Sequence, residues 1–477
     1  MNNAKKYGGV VIINYTLGGL NMAILTKYIS FYNINEENEL MVNALSGAID
    51  IIDSETKSII HKFSEQDNIK ALNAREKNIY DSLKKRGYIF EDRNHELNEM
   101  KRQMKIHEYL CDISVIHVIC PTMFCNMNCV YCFEPSKVRN QQKVISDNQC
   151  QSICDFIYKV KENKPNIKHR IQLFGGEPIL PITKDINIKI LSFAEKNNIP
   201  VSIITNGSHV ENYINIFKRF ENTIDSVQIT IDGIKLIHDS RRVYKNGKGT
   251  FDDIVNGLDL LLNTKIRQIN LRVNINQYNI NYLKELEDFL KSKKWIDSPN
   301  FRFDLAPVTD HTADNAVDTI SEDEIIKKLN EKFPNYMENR LSMFRVISHI
   351  MRGTSENAKK DFAKYTYCEA NRGQYYVYDP EGNIYACPEA IGNPQYAIGF
   401  YNDERVSLNK EAYSIWSNRC ILNIDRCLDC EIAPFCGGGC AYAAIKNNGD
   451  INDPYCNNAK EVLREYINSI KYKFLEM

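Results

Sequence analysis

The sequence lacks both a long apolar run and an excess of charge of one sign. Lys and Arg number 60 against 61 Asp and Glu, which gives a formal net charge of -1 over 477 residues. This balance argues against a broad electrostatic grip on nucleic acid or on an anionic membrane. The N-terminal stretch MNNAKKYGGVVIINYTLGGL holds only the apolar run VVII, which is too short for a secretory signal or a membrane span. We therefore expect a cytoplasmic protein that binds neither nucleic acid nor membrane.

Cysteine is absent from a long middle stretch. None of the 15 cysteines lies between Cys154 and Cys368, and they crowd instead into 111–154 and 368–456. Disulfide scaffolds are small, secreted and dense in cysteine throughout, whereas cytosolic thiols stay reduced. Two groups of thiols in a large cytosolic chain therefore indicate metal binding. Four cysteines outside any motif are expected to be small buried apolar residues, namely Cys111, Cys120, Cys150 and Cys154.

The chain length predicts two or three domains of about 100–200 residues each. Residues 1–105 contain no cysteine and form the first predicted domain. ELMVNALSGAIDIID (39–53) predicts two short strands around a Ser-Gly turn, and NAREKNIYDSLKKRGYIFED (73–92) predicts a helix that ends at Gly87, followed by a strand. Helices followed by a hairpin favour a winged-helix-like domain. Residues 311–365 are polar, predict helices and are interpreted as a connector.

Between 106 and 310 the pattern alternates β-branched runs with amphipathic stretches. Six consecutive βα units predict a parallel sheet with crossover helices. Eight units close a full barrel, so we expect an α/β fold with a partial (β/α)6 barrel. The segments FGGEP, TNG and IDG fall where strands end, at the edge where parallel sheets bind ligands. The predicted strands cover 114–121, 169–176, 201–207, 226–233, 269–275 and 301–307, and a helix is predicted at 279–294.

The segment CPTMFCNMNCVYCFEP (120–135) carries cysteines 125, 129 and 132 in a C-x3-C-x2-C spacing. A structural zinc site takes four protein ligands, and catalytic zinc normally includes histidine or carboxylate. The loop contains no histidine. Iron–sulfur clusters of the 4Fe–4S type are normally held by four thiolates, so three thiolates leave one iron open to a small molecule. A zinc loop remains the alternative.

This motif, placed after the first strand of a six-unit parallel sheet, resembles that of the radical S-adenosylmethionine (SAM) enzymes. The resemblance implies a 4Fe–4S cluster on Cys125, Cys129 and Cys132 whose open iron chelates SAM. It also implies that an electron from a flavodoxin- or ferredoxin-like reductant cleaves SAM to a 5′-deoxyadenosyl radical, which abstracts hydrogen from the substrate. The cofactor carries this chemistry, and the protein positions it.

The same resemblance implies a SAM pocket along the strand ends. Glu177 of the GGEP segment would meet the SAM amino group, Tyr131 would lie near the adenine, and Arg272 would meet the SAM carboxylate. For Arg272, a strand residue paired with an acid is the alternative. The implied cofactor-binding residues are Tyr131, Gly175, Gly176, Glu177, Pro178, Thr205, Asn206, Thr230, Asp232 and Arg272.

The C-terminal cysteines follow the order C-x13-G-x4-C, a gap, C-x2-C-x5-C-x3-C, a gap, C. This order resembles the SPASM domain, an auxiliary-cluster module of radical SAM enzymes that modify peptides and proteins, and we expect it over 366–477. YYVYDPEGNIYAC (375–387) predicts its β-hairpin. Two zinc sites are the alternative. The resemblance implies one auxiliary 4Fe–4S cluster on Cys427, Cys430, Cys436 and Cys456, and another on Cys368, Cys387 and Cys440.

The second auxiliary set has only three thiols. Its fourth iron is either open or reached by Cys420. An open iron suits a substrate thiolate, because soft thiolates bind iron–sulfur clusters. A cap of water or of a side chain is an equal alternative.

Radical SAM enzymes with a SPASM domain catalyse different reactions, and the motifs above are common to them. Anaerobic sulfatase maturases oxidise a Cys or Ser to formylglycine, usually with an Asp directly after the second SPASM cysteine and without an N-terminal extension. Here Pro388 follows Cys387, and Glu389 comes one residue later. The N-terminal region instead resembles leader-binding winged-helix domains, in which a peptide adds a strand to a sheet edge. A domain that only packs on the barrel is the alternative.

The resemblance therefore implies a maturase that installs crosslinks in a ribosomally made precursor peptide with a leader sequence. A thioether from a Cys sulfur to a carbon is expected first, and a carbon–carbon bond second. Formylglycine formation is a further alternative. A non-catalytic Fe–S electron carrier is disfavoured, because it would need none of the GGEP, TNG and IDG segments.

Overall fold

The protein is described by a computed structural model that covers residues 23–65, 72–110, 114–309, 319–333, 340–341, 343–348, 350 and 363–475. None of the helices in these ranges is long and apolar enough to cross a membrane. Cys111 lies outside the described residues.

The N-terminal region combines short strands with three helices. An antiparallel sheet has the order β2-β3-β4, and β1 pairs with β5. The hairpin and the helix predicted from the sequence are both confirmed, and Gly87 after the second helix has φ +78. The third helix runs past the domain boundary predicted at 105. The elements are β1 (Ile24–Leu25), β2 (Ile29–Asn33), β3 (Asn38–Asn43), β4 (Ile49–Asp53), α1 (Ser54–Glu65), α2 (Ala74–Lys85), β5 (Ile89–Phe90) and α3 (Arg93–Leu110).

The two faces of the N-terminal sheet bury into different cores. Leu40 and Val42 of β3 belong to the main hydrophobic core, whereas Met41 between them belongs to a small separate core. This alternation follows from the two-residue period of a strand. The N-terminal region therefore packs on the rest of the chain through one face and has its own core on the other.

The central region is the predicted α/β unit. Six parallel strands stand in the order β11-β10-β9-β8-β7-β6, as the six βα units predicted. The strands are β6 (Ser114–Ile119), β7 (Lys168–Leu173), β8 (Val201–Ile204), β9 (Ile224–Thr230), β10 (Gln268–Ile275) and β11 (Phe301–Pro307), and the helices are α4 (Ser136–Arg139), α5 (Asp147–Asn163), α6 (Lys184–Lys196), α7 (Val210–Arg219), α8 (Lys235–Arg241), α9 (Phe251–Leu262) and α10 (Leu283–Ser292).

The helix predicted at 279–294 begins as a 3-10 turn over Asn279–Tyr282 and continues as α10. In the predicted connector the structure describes one helix, α11 (Glu322–Lys332). Most of the remaining connector lies outside the described residues.

The C-terminal region extends the central sheet. Strand β12 (Tyr375–Tyr378) pairs in parallel with β6, and β13 (Asn383–Tyr385), β14 (Ala397–Tyr401) and β15 (Val406–Leu408) continue antiparallel to complete ten strands. The hairpin predicted over 375–387 is thus confirmed as β12 and β13. Short helices carry the remaining residues, namely α12 (Lys410–Ser417), α13 (Asp425–Leu428), α14 (Ala433–Cys436), α15 (Ala441–Asn448), α16 (Ala459–Ile470) and α17 (Tyr472–Leu475).

Aromatic side chains join the first parallel strand to the C-terminal strand. The His117 ring on β6 stacks on Tyr376 with 5.4 Å between ring centroids, and its Nδ1 lies 2.9 Å from the Tyr378 hydroxyl. Burial lowers the pKa of His117 to about 3, so the ring is neutral at ordinary pH. The junction fixes the C-terminal cysteines relative to the carboxyl edge of the parallel sheet.

Candidate radical SAM site and C-terminal cysteine pockets

The three-cysteine loop follows β6 and is tied to the chain after α8. The Asn128 and Val130 amides donate to the carbonyls of Val243 and Arg241, at 2.8 and 3.0 Å. Cys125 is buried, and Cys129 and Cys132 are partly exposed. These backbone bonds hold the loop against a segment far away in sequence.

Two glycines let the β7 end pass directly against this loop. A Cβ on Gly176 would come within 2.0 Å of the Met123 carbonyl oxygen, and one on Gly175 within 2.4 Å of the Thr122 carbonyl oxygen. The Gly176 amide donates to the Thr122 carbonyl at 3.2 Å. Gly175 also has φ +122, which glycine tolerates without a steric penalty. The Gly-Gly pair is therefore required by close backbone approach ahead of Cys125.

Glu177 is buried at 1% exposure and organises the neighbouring strand end. Its Oε1 accepts from the Thr205 hydroxyl at 2.6 Å and from the Ile179 amide at 3.1 Å, and its Oε2 accepts from the Asn206 amide at 2.6 Å. Burial raises the pKa of Glu177 to about 7 despite these bonds. The carboxylate thus fixes the Thr-Asn-Gly turn. Its predicted contact with the SAM amino group stays a prediction.

Asn206 connects this turn to the cysteine loop. Its Nδ2 donates to Asn126 Oδ1 at 2.9 Å and faces Cys125 Sγ at 3.9 Å. Two further residues predicted for the SAM pocket are Pro178 and Thr230. The Pro178 carbonyl accepts from Asn187 Nδ2 at 2.7 Å, and Thr230 ends β9 with 8% exposure.

Tyr131 is the centre of a buried polar network. Its hydroxyl donates to Asp232 Oδ2, and it accepts from Arg242 Nη1 at 2.7 Å and from Asn274 Nδ2 at 3.1 Å. Asp232 is fully buried, and its Oδ1 accepts the Asn274 amide at 3.0 Å. The Arg241 guanidinium lies over the Tyr131 ring, 4.8 Å from its centroid. The network fastens the cysteine loop to the ends of β9 and β10.

Arg242 is a functional candidate that sequence reasoning did not single out. Burial alone would lower the pKa of Arg242, but Cys129, Tyr131 and Asp232 raise it well above its usual value. Its Nε is a buried donor without a hydrogen-bond partner in the described part of the chain. An anionic group beside Cys129 would satisfy that donor. The signal was present in the segment IHDSRR, whose second arginine is Arg242.

Arg272 adjoins the Tyr131 network through Asn274. Its Nε donates to Asn274 Oδ1 at 2.9 Å, and burial lowers the pKa of Arg272. It lines a cavity of about 210 Å³ together with Pro307 and Thr309 from the end of β11. Its predicted contact with the SAM carboxylate stays a prediction.

The same cavity is lined by cysteines of the C-terminal region. Cys368, Cys387 and Cys440 all border it, as does Glu389. Burial raises the pKa of all three thiols, that of Cys440 to about 12. Cys368 also raises the pKa of Cys387 and Cys440, so the three lie close together in space. The structure thus brings together the three residues that the sequence pattern grouped.

The other C-terminal set gathers around a separate cavity of about 350 Å³. Cys427, Cys430, Cys436 and Cys456 line it. Burial and, after it, the other three thiols raise the pKa of Cys427 to about 12. These four residues are the set that the sequence pattern grouped for one auxiliary cluster.

A buried arginine holds the loop that separates the two cavities. Arg419 is 0% exposed and donates to the carbonyls of Gly438 and Gly439, both at 2.8 Å, and to the carbonyl of Ile451. Burial lowers the pKa of Arg419, whereas thiols of both sets raise it. The guanidinium therefore fixes the CGGGC turn by cationic hydrogen bonds, and no local sequence signal pointed to it.

The remaining cysteines behave in different ways. Cys120, Cys150 and Cys154 are 0%, 3% and 4% exposed, which confirms the prediction that they are buried. Cys420 is buried before a 3-10 turn and lines neither of the two C-terminal cavities. None of the described cysteines is part of a disulfide.

The donor set of the loop fits an iron–sulfur cluster. Three thiols of one loop, one buried and two partly exposed, lie together, and burial raises the pKa of Cys132 to about 12 and those of Cys125 and Cys129 above their usual value. Thiolates in such a place need a positive metal partner, and metal binding displaces their protons. Within the described residues, no group of three or more His, Cys, Asp and Glu side chains is arranged to hold a single metal ion.

Comparison with known proteins identifies the central region. Residues 119–290 match the model of the Radical SAM superfamily. The radical SAM cyclopropyl synthase TigE of Paramaledivibacter caminithermalis is 22% identical over 484 residues, which cover 94% of this chain and 97% of TigE. A cysteine-type anaerobic sulfatase-maturating enzyme of Clostridium novyi is 24% identical over 366 residues, which cover 73% of this chain and 94% of that enzyme.

Solved structures share the fold. Streptococcus suis SuiB bound to precursor peptide SuiA has a TM-score of 0.53 at 16% identity, covering 91% of this chain and 98% of SuiB. The enzyme anSMEcpe with bound AdoMet has a TM-score of 0.57 at 18% identity, covering 76% of this chain and 94% of that chain. Taken with the family match and the sequence relatives, these findings lead to one conclusion: the chain is an enzyme whose residues 119–290 form a radical SAM domain.

Proposed function

We propose that this enzyme modifies a ribosomally made precursor peptide, and that it forms a crosslink from a peptide Cys sulfur to a carbon. The relatives that match almost the whole chain are a cyclopropyl synthase and, among solved structures, a protein bound to a precursor peptide. The sulfatase-maturating relative leaves about a quarter of the chain unmatched. This difference in coverage favours a precursor peptide as the substrate.

The radical SAM family implies a 4Fe–4S cluster and SAM, and Cys125, Cys129 and Cys132 would hold the cluster. When bound, the pair supplies a 5′-deoxyadenosyl radical that removes hydrogen from the substrate. Arg242 would donate from its buried Nε to the carboxylate of SAM. Glu177 keeps the Thr205–Asn206 turn in place through three hydrogen bonds.

The observation that carries the proposal is the cavity between the strand ends and the C-terminal cysteines. Its wall combines Arg272 and Thr309 from the parallel sheet with Cys368, Cys387 and Cys440. Through Asn274, Arg272 is one residue removed from the Tyr131 hydroxyl of the loop network. A substrate side chain in this cavity would lie between the radical source and the second thiol set. In that position the radical would remove hydrogen from one side of the substrate residue, and the second thiol set would hold the residue on the other side.

The C-terminal region would act as a SPASM domain with two auxiliary 4Fe–4S clusters. Cys427, Cys430, Cys436 and Cys456 would hold one, and the second thiol set would hold the other. The electrostatic contact among the thiols of each set supports this division. A flavodoxin- or ferredoxin-like protein would supply electrons.

The N-terminal region, as a winged-helix-like domain, would bind the leader of the peptide. Its antiparallel sheet ends in two edge strands, β2 and β4, and edge strands accept an added strand through backbone hydrogen bonds. The N-terminal region also contacts the C-terminal region beside Cys427 and Cys430. The Tyr28 hydroxyl donates to the Leu428 carbonyl at 3.0 Å, and Lys27 pairs with Asp429 at 2.8 Å.

Formylglycine formation is the second candidate, because the sulfatase-maturating relative is matched over 94% of its own length. The two reactions leave different products. A thioether blocks the cysteine from alkylation and removes two hydrogens from the peptide. Formylglycine carries an aldehyde that reacts with a hydrazide probe.

The test is anaerobic co-expression with the short reading frame nearest this gene, followed by reduction, alkylation and mass spectrometry. We expect loss of two hydrogens per modification and a cysteine that resists alkylation. The same mass loss with a free cysteine would indicate a carbon–carbon bond instead. An aldehyde would establish the sulfatase-type reaction. An unchanged peptide with normal 5′-deoxyadenosine formation would overturn the peptide as substrate.

A further inference from the structure

The chain around the three-cysteine loop is rich in positive charge, although the whole protein is nearly neutral. Residues 125–143 and 241–248 contain a single acid, Glu134, which is 6% exposed. The two segments lie side by side, since the Lys245 amide donates to the Asn126 carbonyl at 3.0 Å. Together they contain seven basic residues, namely Lys137, Arg139, Lys143, Arg241, Arg242, Lys245 and Lys248.

Two of these cations contact the loop itself. Arg139 Nη1 donates to Asn128 Oδ1 at 3.4 Å. Lys245 Nζ lies 4.1 Å from the centroid of the Phe124 ring. The loop also meets solvent, because Val130 is 54% exposed. Cations therefore border an exposed part of the loop that would hold the SAM-binding cluster.

Four of the seven cations lack an acidic partner. Lys143 and Arg241 form salt bridges with Glu381 and Asp232, and Arg242 is buried. The other four are exposed or partly exposed and form no salt bridge within the part of the chain that the structure describes. We call these four residues the basic face, namely Lys137, Arg139, Lys245 and Lys248.

Acids on the adjoining elements are bound to other partners. Glu381 pairs with Lys143 at 2.7 Å, and Asp252 pairs with Lys235. Two more accept hydrogen bonds, Asp253 from the Tyr244 hydroxyl at 2.6 Å and Asp239 from the Thr250 amide at 2.8 Å. A group of cations without acidic partners attracts an acidic protein and speeds its association.

The other place where a proposed cluster site reaches the surface is different. Cys456 is exposed at the cavity of the four-cysteine set. Lys460 at this cavity pairs with Glu431 at 2.8 Å. Positive and negative side chains both line the wall, namely Arg426, Asp429, Lys460 and Glu461. An acidic protein would therefore be attracted less strongly here than at the basic face.

We propose that the basic face docks an acidic electron carrier, and that the electron enters at the three-cysteine loop and not through the C-terminal cysteines. This inference rests on the proposed function, which includes a flavodoxin- or ferredoxin-like donor. One electron leaves the reduced carrier, which is oxidised, and reduces the cluster that the loop would hold. Arg139 and Lys245 contact the loop, so a carrier on this face lies beside the electron acceptor.

The test uses the reconstituted holoenzyme and a flavodoxin of strongly negative net charge. It measures their binding affinity, and the formation of 5′-deoxyadenosine driven by the flavodoxin or by dithionite. With Lys137→Glu and Lys248→Glu combined, we expect flavodoxin to bind at least about tenfold more weakly at low salt. Added salt should reduce this difference, because it screens exposed charges. The dithionite-driven rate should stay unchanged, since a small reductant needs no docking face.

Matched variants separate a specific face from a general effect of charge. Arg426→Glu with Lys460→Glu makes the same charge change at the cavity of the four-cysteine set and should leave flavodoxin binding unchanged. Lys137→Gln with Lys248→Gln removes the two charges without reversing them and should give a smaller loss of affinity. If the Glu pair folds poorly, the Gln pair takes its place in the comparison.

The outcomes separate the docking face from the proposed function. Equal flavodoxin affinity in the wild type and in the Lys137→Glu, Lys248→Glu protein would overturn the docking face alone. A larger loss in the Arg426→Glu, Lys460→Glu protein would also overturn it, as would a wild type that dithionite activates but flavodoxin does not bind. A wild type that forms no 5′-deoxyadenosine with dithionite would overturn the proposed function itself.

Discussion

The two cysteine-bearing regions of this protein are held in different ways. The loop of Cys125, Cys129 and Cys132 is fastened by residues from several strand ends, with Tyr131 at the centre of the network. The C-terminal thiols lie on short helices and glycine turns arranged around the buried Arg419. The first site depends on long-range contacts across a sheet, and the second depends on one cation within a loop region.

This difference has an energetic consequence. In the first site, loss of the Tyr131 hydroxyl breaks its three hydrogen bonds, but the Asp232–Asn274 bond and the backbone bonds of Asn128 and Val130 stay in place. In the second, one side chain donates to several buried carbonyls, and those of Gly439 and Ile451 lose their donor when that side chain is removed. We therefore expect the C-terminal region to be more sensitive to a single internal substitution.

The largest effect is expected at the loop itself. Cys129→Ala removes one of three proposed cluster ligands, and formation of 5′-deoxyadenosine from SAM should be lost when it is measured by chromatography and mass spectrometry. Cys150→Ala is the matched control, because Cys150 is buried away from both cysteine regions. Wild-type levels of 5′-deoxyadenosine from Cys129→Ala would contradict the ligand assignment.

The second-largest effect is expected at Arg419, the cation that donates to the C-terminal glycine turn. Arg419→Met leaves the Gly439 and Ile451 carbonyls without their donor and the Gly438 carbonyl with only the Tyr455 amide, and we expect a local loss of about 3 kcal/mol. Hydrogen exchange across 436–451 should accelerate, whereas exchange in the parallel sheet should not. The exposed Arg405→Met serves as the control. Uniform acceleration throughout the chain would show that the arginine supports the whole fold and not the cysteine turns alone.

A smaller effect is expected from the shared network. Tyr131→Phe removes the hydroxyl that joins Asp232 to Arg242, and SAM binding measured by calorimetry should weaken about tenfold, which corresponds to about 1.4 kcal/mol. Tyr472→Phe, on an exposed tyrosine, should leave the affinity unchanged. If Tyr131→Phe unfolds the loop as completely as loss of a cysteine does, the remaining hydrogen bonds do not hold the loop in place.

The smallest effect is expected where the N-terminal region meets the C-terminal cysteines. Asp429 is 86% exposed in its pair with Lys27, so Lys27→Ala should change the free energy of unfolding by about 0.5 kcal/mol or less. Tyr28→Phe removes the hydrogen bond to the Leu428 carbonyl and should cost about 1 kcal/mol. This interpretation would be wrong if urea unfolding showed a larger loss of unfolding free energy for Lys27→Ala than for Tyr28→Phe.

Sequence reasoning found the parts whose signal is local. The six parallel strands and the N-terminal hairpin follow from periodicity and turn residues, the grouping of the C-terminal thiols was implied by the resemblance to the SPASM domain, and the structure has all three. It did not single out Arg242, Asn274 or Arg419. Each of these acts through partners far away in sequence, and a buried polar contact of that kind leaves no periodic pattern. Glu389 was noticed only because it lies two residues after Cys387, whereas sulfatase maturases usually have an Asp directly after that cysteine.

The most direct test of the account is the metal content of anaerobically reconstituted protein. Three 4Fe–4S clusters require about twelve iron and about twelve sulfide per chain. We expect that content in the wild type, and about eight of each in the Cys125→Ala, Cys129→Ala, Cys132→Ala variant. Zinc in place of iron and sulfide, or a variant that retains the full wild-type content, would contradict the assignment of the loop as the SAM-binding cluster site.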